Sequence, residues 1–151
     1  MNSQIIVALR ITRSRIGMTV FANEKIEFAR CLNLPCVSVK HSATSLRSLV
    51  NWTTEYFKDP TIVVEETEGR ADPLVAELRS MAKERGLPII AVATENLLRA
   101  YSFPPLTSRT HLRKVASTIF PGLAFMNKGE VLDAAALALH VQTERLLART
   151  N

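Results

Sequence analysis

An aspartate in the middle of an alanine- and leucine-rich helix leaves a chain few ways to fold. That residue is Asp133, in Glu130-Val131-Leu132-Asp133-Ala134-Ala135-Ala136-Leu137-Ala138-Leu139, and the surrounding periodicity predicts a helix over about Lys128 to Ala148. Residues three apart share a helical face, so Glu130 and Asp133 stand side by side. A carboxylate pressed among Ala and Leu must find a partner, because a buried unpaired charge is strongly disfavoured. A divalent metal is one such partner. The plainer account is a capped, wetted helix, with Asn127 as N-cap, Glu130 reaching back as a capping box, and Glu130, Asp133, His140 and Glu144 as a polar stripe.

The rest of the chain moves between the two hydrophobic periods. Gln4 to Ile11 is a nearly continuous apolar run, as expected of a central strand covered on both faces. Thr12-Arg13-Ser14 turns it into a second strand, Arg15 to Ala22, and Asn23-Glu24 turns that into a third, Lys25 to Leu32. No helix is expected before residue 40. After an extended Pro35 to Lys40, Ser42 or Thr44 caps a helix running to about Phe57, with Leu46, Leu49, Val50, Trp52 and Phe57 spaced for burial. Asp59-Pro60 stops it, and Thr61-Ile62-Val63-Val64 is a short buried strand that runs directly into Glu65-Glu66. Asp72-Pro73 starts a helix that ends at Gly86. Pro88 to Ala93 is the next strand, and Thr94 caps a short helix that closes before Phe103-Pro104-Pro105. A basic stretch from Thr107 or Ser108 to about Ile119 reads as a helix, with a loop as the alternative, and Pro121-Gly122 separates it from the last helix.

Three meandering strands followed by strands that need crossover connections predict an α/β fold. Its sheet is mixed and five-stranded, antiparallel first and parallel after, with helices on both faces. The 151 residues suffice for one well-cored domain and are too few for two, so residues 1–151 are expected to form a single domain.

Nineteen Lys and Arg against fourteen Asp and Glu leave a net charge of +5, which suits a polyanionic partner without requiring one. Placement says more. Arg10, Arg13 and Arg15 gather at one turn, and Arg109, His111, Arg113 and Lys114 at another, which would suit two phosphate contacts. Arg13, Arg15, Arg109, His111, Arg113 and Lys114 are therefore the candidate nucleic-acid-binding residues. Five glycines, none in a phosphate-loop or dinucleotide spacing, argue against a nucleotide site. His41, His111 and His140 fall in separate predicted elements without a Ser or Cys at motif spacing, so a nucleophilic triad is unsupported. Cys31 and Cys36 lack companion zinc ligands and read as core thiols. No apolar run approaches bilayer length, and the start of the chain shows no basic leader with an apolar segment and cleavage site. A soluble, cytoplasmic protein with no membrane partner is the expectation.

The order of elements, with Glu65-Glu66 ending the fourth strand and Glu130 and Asp133 opening the last helix, resembles the ribonuclease H-like superfamily. Within it, the RuvC-type Holliday-junction resolvases look most similar. The stretches that carry the likeness are Ala8-Leu9-Arg10-Ile11-Thr12-Arg13-Ser14-Arg15-Ile16-Gly17 with Met18-Thr19-Val20, then Ile62-Val63-Val64-Glu65-Glu66, then Glu130 to Leu139; in order of elements it covers almost the whole chain. The resemblance implies two-metal phosphodiester hydrolysis, with magnesium or manganese held by hard carboxylate oxygens. Glu65, Glu130 and Asp133 take the catalytic and metal-ligating positions, with Glu66 as the alternative to Glu65. Successive strand residues face opposite sides of a sheet, so only one of the two glutamates can meet the last helix. The resemblance also implies DNA, branched or duplex, as partner, and a homodimer as the assembly.

One position departs from the pattern. The family carries an aspartate in its first strand, seven residues before the hairpin glycine, and counting back seven from Gly17 lands on Arg10. Arginine cannot ligate a metal and brings a permanent positive charge. No Asp or Glu lies between Met1 and Asn23, so a shifted alignment does not restore the acid. Arg10 is expected instead to fork onto Asp133 and onto Glu65 or Glu66, taking the metal's place. Three functions stay open at this point. They are a nucleic-acid-binding protein with a lost or altered nuclease centre, an active magnesium-dependent structure-specific endodeoxyribonuclease, and a partner- or ligand-binding α/β domain without a nucleic-acid role.

Overall fold

The computed structural model describes residues 5–34, 39–66, 72–101, 108–126 and 128–150. Three strands open the chain, β1 (Ile5–Ile11), β2 (Arg15–Ala22) and β3 (Lys25–Asn33). Then come α1 (Val39–Tyr56), β4 (Thr61–Glu66), α2 (Pro73–Glu84), β5 (Ile89–Ala93), α3 (Thr94–Ala100) and α4 (Arg109–Ile119). A 3-10 turn at Pro121–Met126 leads into α5 (Gly129–Thr150). The five strands form one mixed sheet in the order β3-β2-β1-β4-β5, with β1–β2 and β2–β3 antiparallel and β1–β4 and β4–β5 parallel. This is the fold class predicted from the sequence. Among the described residues no helix is long and apolar enough to cross a membrane.

Strand alternation builds two cores from the same strands. Ile5, Val7, Leu9 and Ile11 of β1, with Ile16, Met18 and Val20 of β2 and Ile62 and Val64 of β4, pack against Leu46, Leu49 and Val50 of α1 and Leu74, Leu78 and Met81 of α2. The opposite side of the same strands presents Ile6, Ala8, Phe21 and Val63 to Ala134, Leu137, Ala138 and Val141 of α5 and to Leu112 and Ala116 of α4. Central β1 is buried on both faces, which is why it reads as an unbroken apolar run. The alanines of α5 let its backbone lie close to the sheet, and they explain how the helix can be apolar around much of its circumference.

Local signals placed most boundaries. The Asp72 side chain accepts from Leu74 N–H at 2.9 Å with Pro73 in the first helical position, and Gly86, at φ +65°, ends the chain's exit from α2. Ser108 caps α4 by accepting from His111 N–H at 3.1 Å, so the basic stretch is a helix. The start of α1 differs from expectation. The helix begins at Val39, Ser42 is buried inside it, and the Thr44 hydroxyl donates back to the Lys40 carbonyl at 3.1 Å, so neither residue is the cap. The expected roles of Cys36, Phe103-Pro104-Pro105, Thr107 and Asn127 lie outside the described residues. Cys31 is half-buried on β3 beside Leu123, Val131 and Ala135, where burial raises its thiol pKa with the Glu130 charge adding to the effect.

Candidate functional site

The ends of β1 and β4 meet the first turns of α5, and one glycine makes the meeting close. Gly17 pairs with Arg10 across β1–β2, and a β-carbon at Gly17 would sit 2.3 Å from the carbonyl carbon and oxygen of Glu130. A side chain there would hold α5 off the sheet. Two residues on, the buried Thr19 hydroxyl donates to the Val131 carbonyl at 3.2 Å and ties the helix start to β2. On the other side of β1, the Leu9–Val64 pair leaves Arg10 and Glu65 as the next residues at the ends of two adjacent parallel strands. Both face α5, and Asp133, one turn into that helix, comes down beside them.

Three arginines converge on two carboxylates whose side chains are fully buried. Arg109 forks onto Glu65, Nη1 reaching Oε1 at 2.7 Å and Nη2 reaching Oε2, and its Nη1 also lies 3.5 Å from Asp133 Oδ1. Arg113 forks onto Asp133, Nε to Oδ1 at 3.0 Å and Nη2 to Oδ2 at 2.8 Å. Arg10 spans the pair, 3.4 Å from Glu65 Oε2 and 3.6 Å from Asp133 Oδ2. The hydroxyl of Thr94, first residue of α3, donates to Glu65 Oε2 at 2.7 Å. Burial by itself would push the Glu65 carboxyl pKa up, but the Arg109 hydrogen bonds, the charges of Arg10 and Arg109 and the Thr94 hydroxyl outweigh it and hold the pKa low. Arg109 is desolvated too, yet Glu65 and Asp133 keep its pKa raised; for Arg113 the hydrogen bonds it donates to Asp133 do the same.

Register decides between the two glutamates of β4. Glu65 points to α5, whereas Glu66 points to the α2 face and pairs with Arg79. Glu130 stands at the edge of the cluster, its Oε2 buried without a hydrogen-bond partner among the described residues and 3.8 Å from Arg15 Nη1. Arg13 is exposed at the β1–β2 turn, Lys114 is exposed on α4, and His111 is half-buried. So the two basic clusters of the sequence reach one site from two sides, and Arg15, Arg109 and Arg113 face carboxylates there. Two participants carried no usable sequence signal. Thr94 looked like a cap, but Ala93 holds the cap position of α3 and Thr94 holds Glu65. Gly129 gives Arg113 its passage, since a β-carbon there would lie 2.3 Å from the guanidinium carbon and Nη1.

That passage yields a prediction. Gly129→Ala should displace the Arg113 fork from Asp133 and lower stability by about 1 kcal/mol or somewhat more, net of alanine's better helix propensity. In an Arg113→Ala background the same change should be neutral or stabilising, and chemical denaturation of the four proteins measures the difference.

The cluster does not suit the divalent cation that the resemblance implies. The first-strand position offers a guanidinium in place of an oxygen ligand, and the oxygens of Glu65 and Asp133 already accept from Arg109, Arg113 and Thr94. Among the described residues the buried atoms of the cluster without a hydrogen-bond partner are one donor, Arg10 Nε, and one acceptor, Glu130 Oε2, and the acceptor already has the Arg15 guanidinium 3.8 Å away. Among the described residues no group of three or more His, Cys, Asp or Glu is arranged to hold a metal.

No protein-family model matches the chain, and no curated protein matches it by sequence. Solved structures do match in shape. Thermus thermophilus RuvC superposes with a TM-score of 0.71 at 16% identity, over 95% of this chain and 96% of that one. RuvC from the same organism in complex with Holliday junction substrate gives 0.68 at 15% identity, over 90% and 91%. The Holliday junction resolvase of fowlpox virus gives 0.60 at 12% identity, over 93% and 99%. Matched along nearly its whole length, the chain has the ribonuclease H-like fold in its RuvC-type form.

Proposed function

We propose that this chain is a nucleic-acid-binding protein, built as a single domain on a RuvC-like resolvase scaffold, whose metal-dependent nuclease centre has been replaced by an arginine–carboxylate network. The observation that carries the reading is the convergence of Arg10, Arg109 and Arg113 on Glu65 and Asp133. Carboxylates crowded together without a cation repel one another and take up protons, and planar guanidiniums relieve that repulsion permanently. The scaffold, the net charge of +5, and exposed Arg13 and Lys114 beside the site support nucleic acid as the partner.

Calorimetry with magnesium and manganese, paired with binding and cleavage of labelled junction, duplex and single-stranded DNA at two salt concentrations, tests this. The expected result is salt-sensitive DNA binding, no stoichiometric metal uptake and no cleavage. Metal-dependent cleavage by the native protein would establish the endonuclease instead, and no DNA binding at low salt would leave the partner-binding domain. The geometry also sets what it takes to restore a metal site. Arg10→Asp supplies the missing acid but leaves Arg109 and Arg113 on Glu65 and Asp133, so metal uptake is expected only when all three arginines are replaced, as Arg10→Asp with Arg109→Ala and Arg113→Ala.

A further inference from the structure

We propose that the arginine centre is itself a binding site for one phosphodiester group, which it holds directly through guanidinium N–H groups and without a bridging metal. The assignment relies on the nucleic-acid reading for the source of the phosphate, and on geometry for the site. Charge is the first argument. Arg10, Arg15, Arg109 and Arg113 face Glu65, Glu130 and Asp133, four guanidiniums against three carboxylates, which leaves one positive charge over at the mouth of the cluster. One phosphodiester carries one negative charge and neutralises it.

Donor supply is the second argument. Each guanidinium has five N–H donors in a rigid fork. Arg109 and Arg113 each give two hydrogen bonds to the buried acids, while Arg10 meets both acids only at ion-pair distance. Its Nε is buried with no hydrogen-bond partner among the described residues. The side chains of Arg10, Arg109 and Arg113 remain 19%, 24% and 36% exposed, so the arginine side of the cluster reaches solvent while the two acids do not. Fixed forks with spare donors match the tetrahedral oxygens of phosphate, and the acids behind them keep the arginines from collapsing onto one another or swinging away. Glu65 and Asp133 then serve as positioning residues for a cationic cradle.

The same cradle would accept free phosphate, and the test separates the sources. The buried Arg10 Nε–H should be observable in proton–nitrogen spectra of the full chain, assigned by triple resonance, and followed on addition of inorganic phosphate and then of duplex DNA. In parallel, the slope of log K against log salt for duplex DNA is compared among the native protein, Arg10→Gln and Arg10→Lys. The expected result is a saturable shift of the Arg10 signal with both additions, a salt slope reduced by about 0.9 in Arg10→Gln, and an unchanged slope in Arg10→Lys, which keeps the charge. A purely structural Arg10 would not alter the slope. DNA binding with an unmoved Arg10 signal and an unaltered slope would overturn the phosphodiester site and leave the nucleic-acid reading standing. A shift with phosphate but no binding of DNA would overturn both the nucleic-acid reading and the phosphodiester as ligand. The spectra of the unsubstituted chain decide the matter even if Arg10→Gln does not fold.

Discussion

Glu65→Ala is expected to cost about 3–5 kcal/mol of folding stability, and Glu66→Ala less than about 1 kcal/mol, although the two residues are neighbours of the same type. The Glu65 side chain is fully buried and holds Arg109, Arg10 and Thr94, so its removal leaves two mostly buried guanidiniums with Asp133 as the carboxylate they share with Arg113. Among the described residues Glu66 pairs with Arg79, which is about half exposed and can solvate its charge when the partner is gone. In a chain of this length the larger loss corresponds to a fall in melting temperature on the order of 10 °C, which thermal unfolding followed by circular dichroism would register. Equal losses at the two positions would show that the Glu65 network contributes no more than a surface pair.

Acid titration adds a second readout with a defined sign. The folded-state pKa of Glu65 is depressed, so the ionised form carries stability that is fully present above the usual carboxylate range and is lost as pH falls through and below it. The native protein should therefore become easier to unfold as the solution is acidified through that range. In Glu65→Gln this part of the dependence should be missing, leaving a protein less stable at neutral pH and with a shallower acid limb.

The second large effect is expected at Gly17. Alanine there would bring its β-carbon to 2.3 Å from the backbone carbonyl of Glu130, and a backbone group in the first turn of a long helix cannot step aside as a side-chain tip can. Either α5 lifts from β2, breaking the Thr19–Val131 hydrogen bond and loosening Asp133 from the arginines, or the hairpin distorts. The expected cost is about 3 kcal/mol or more, the upper end for overpacking. Gly122→Ala is the control, because nothing among the described residues lies within 4 Å of its added β-carbon. It should be neutral or gain a few tenths of a kcal/mol from reduced unfolded-state entropy. Denaturant midpoints of both variants against the native chain check the pair, and a Gly17→Ala protein as stable as the native one would show that α5 does not need this close approach.

Much of this fold could be read from the residues because it rests on short-range rules. The unbroken apolar run of β1, the polar turns at Thr12-Arg13-Ser14 and Asn23-Glu24, the Asp72-Pro73 helix start and the Ser108 cap depend on chemistry within a few residues. Alternation along β4 also required that only one of Glu65 and Glu66 reach α5. The misplaced start of α1 shows where such rules fail. Ser42 has the chemistry of a cap, but it lies buried inside a helix that starts at Val39, so the local preference was overridden.

What the residues determined by themselves is that β4 ends in two acids of opposite facing; they left Asp133 open between a buried, partnered acid and a wetted stripe, and only the resemblance marked Arg10 as standing where an acid would be expected. Tertiary structure decided which cations answer those acids. Arg109 lies 44 positions from Glu65 and Arg113 lies 20 from Asp133, on a helix whose basic residues read as candidate phosphate contacts. Long flexible side chains take their direction from the nearest buried charge and not from their own spacing, so no local pattern shows whether an arginine turns inward or outward. The roles of Gly17 and Gly129 are hidden for a related reason. Each matters only because a distant segment, Glu130 for one and Arg113 for the other, is brought by the fold into the space a β-carbon would occupy.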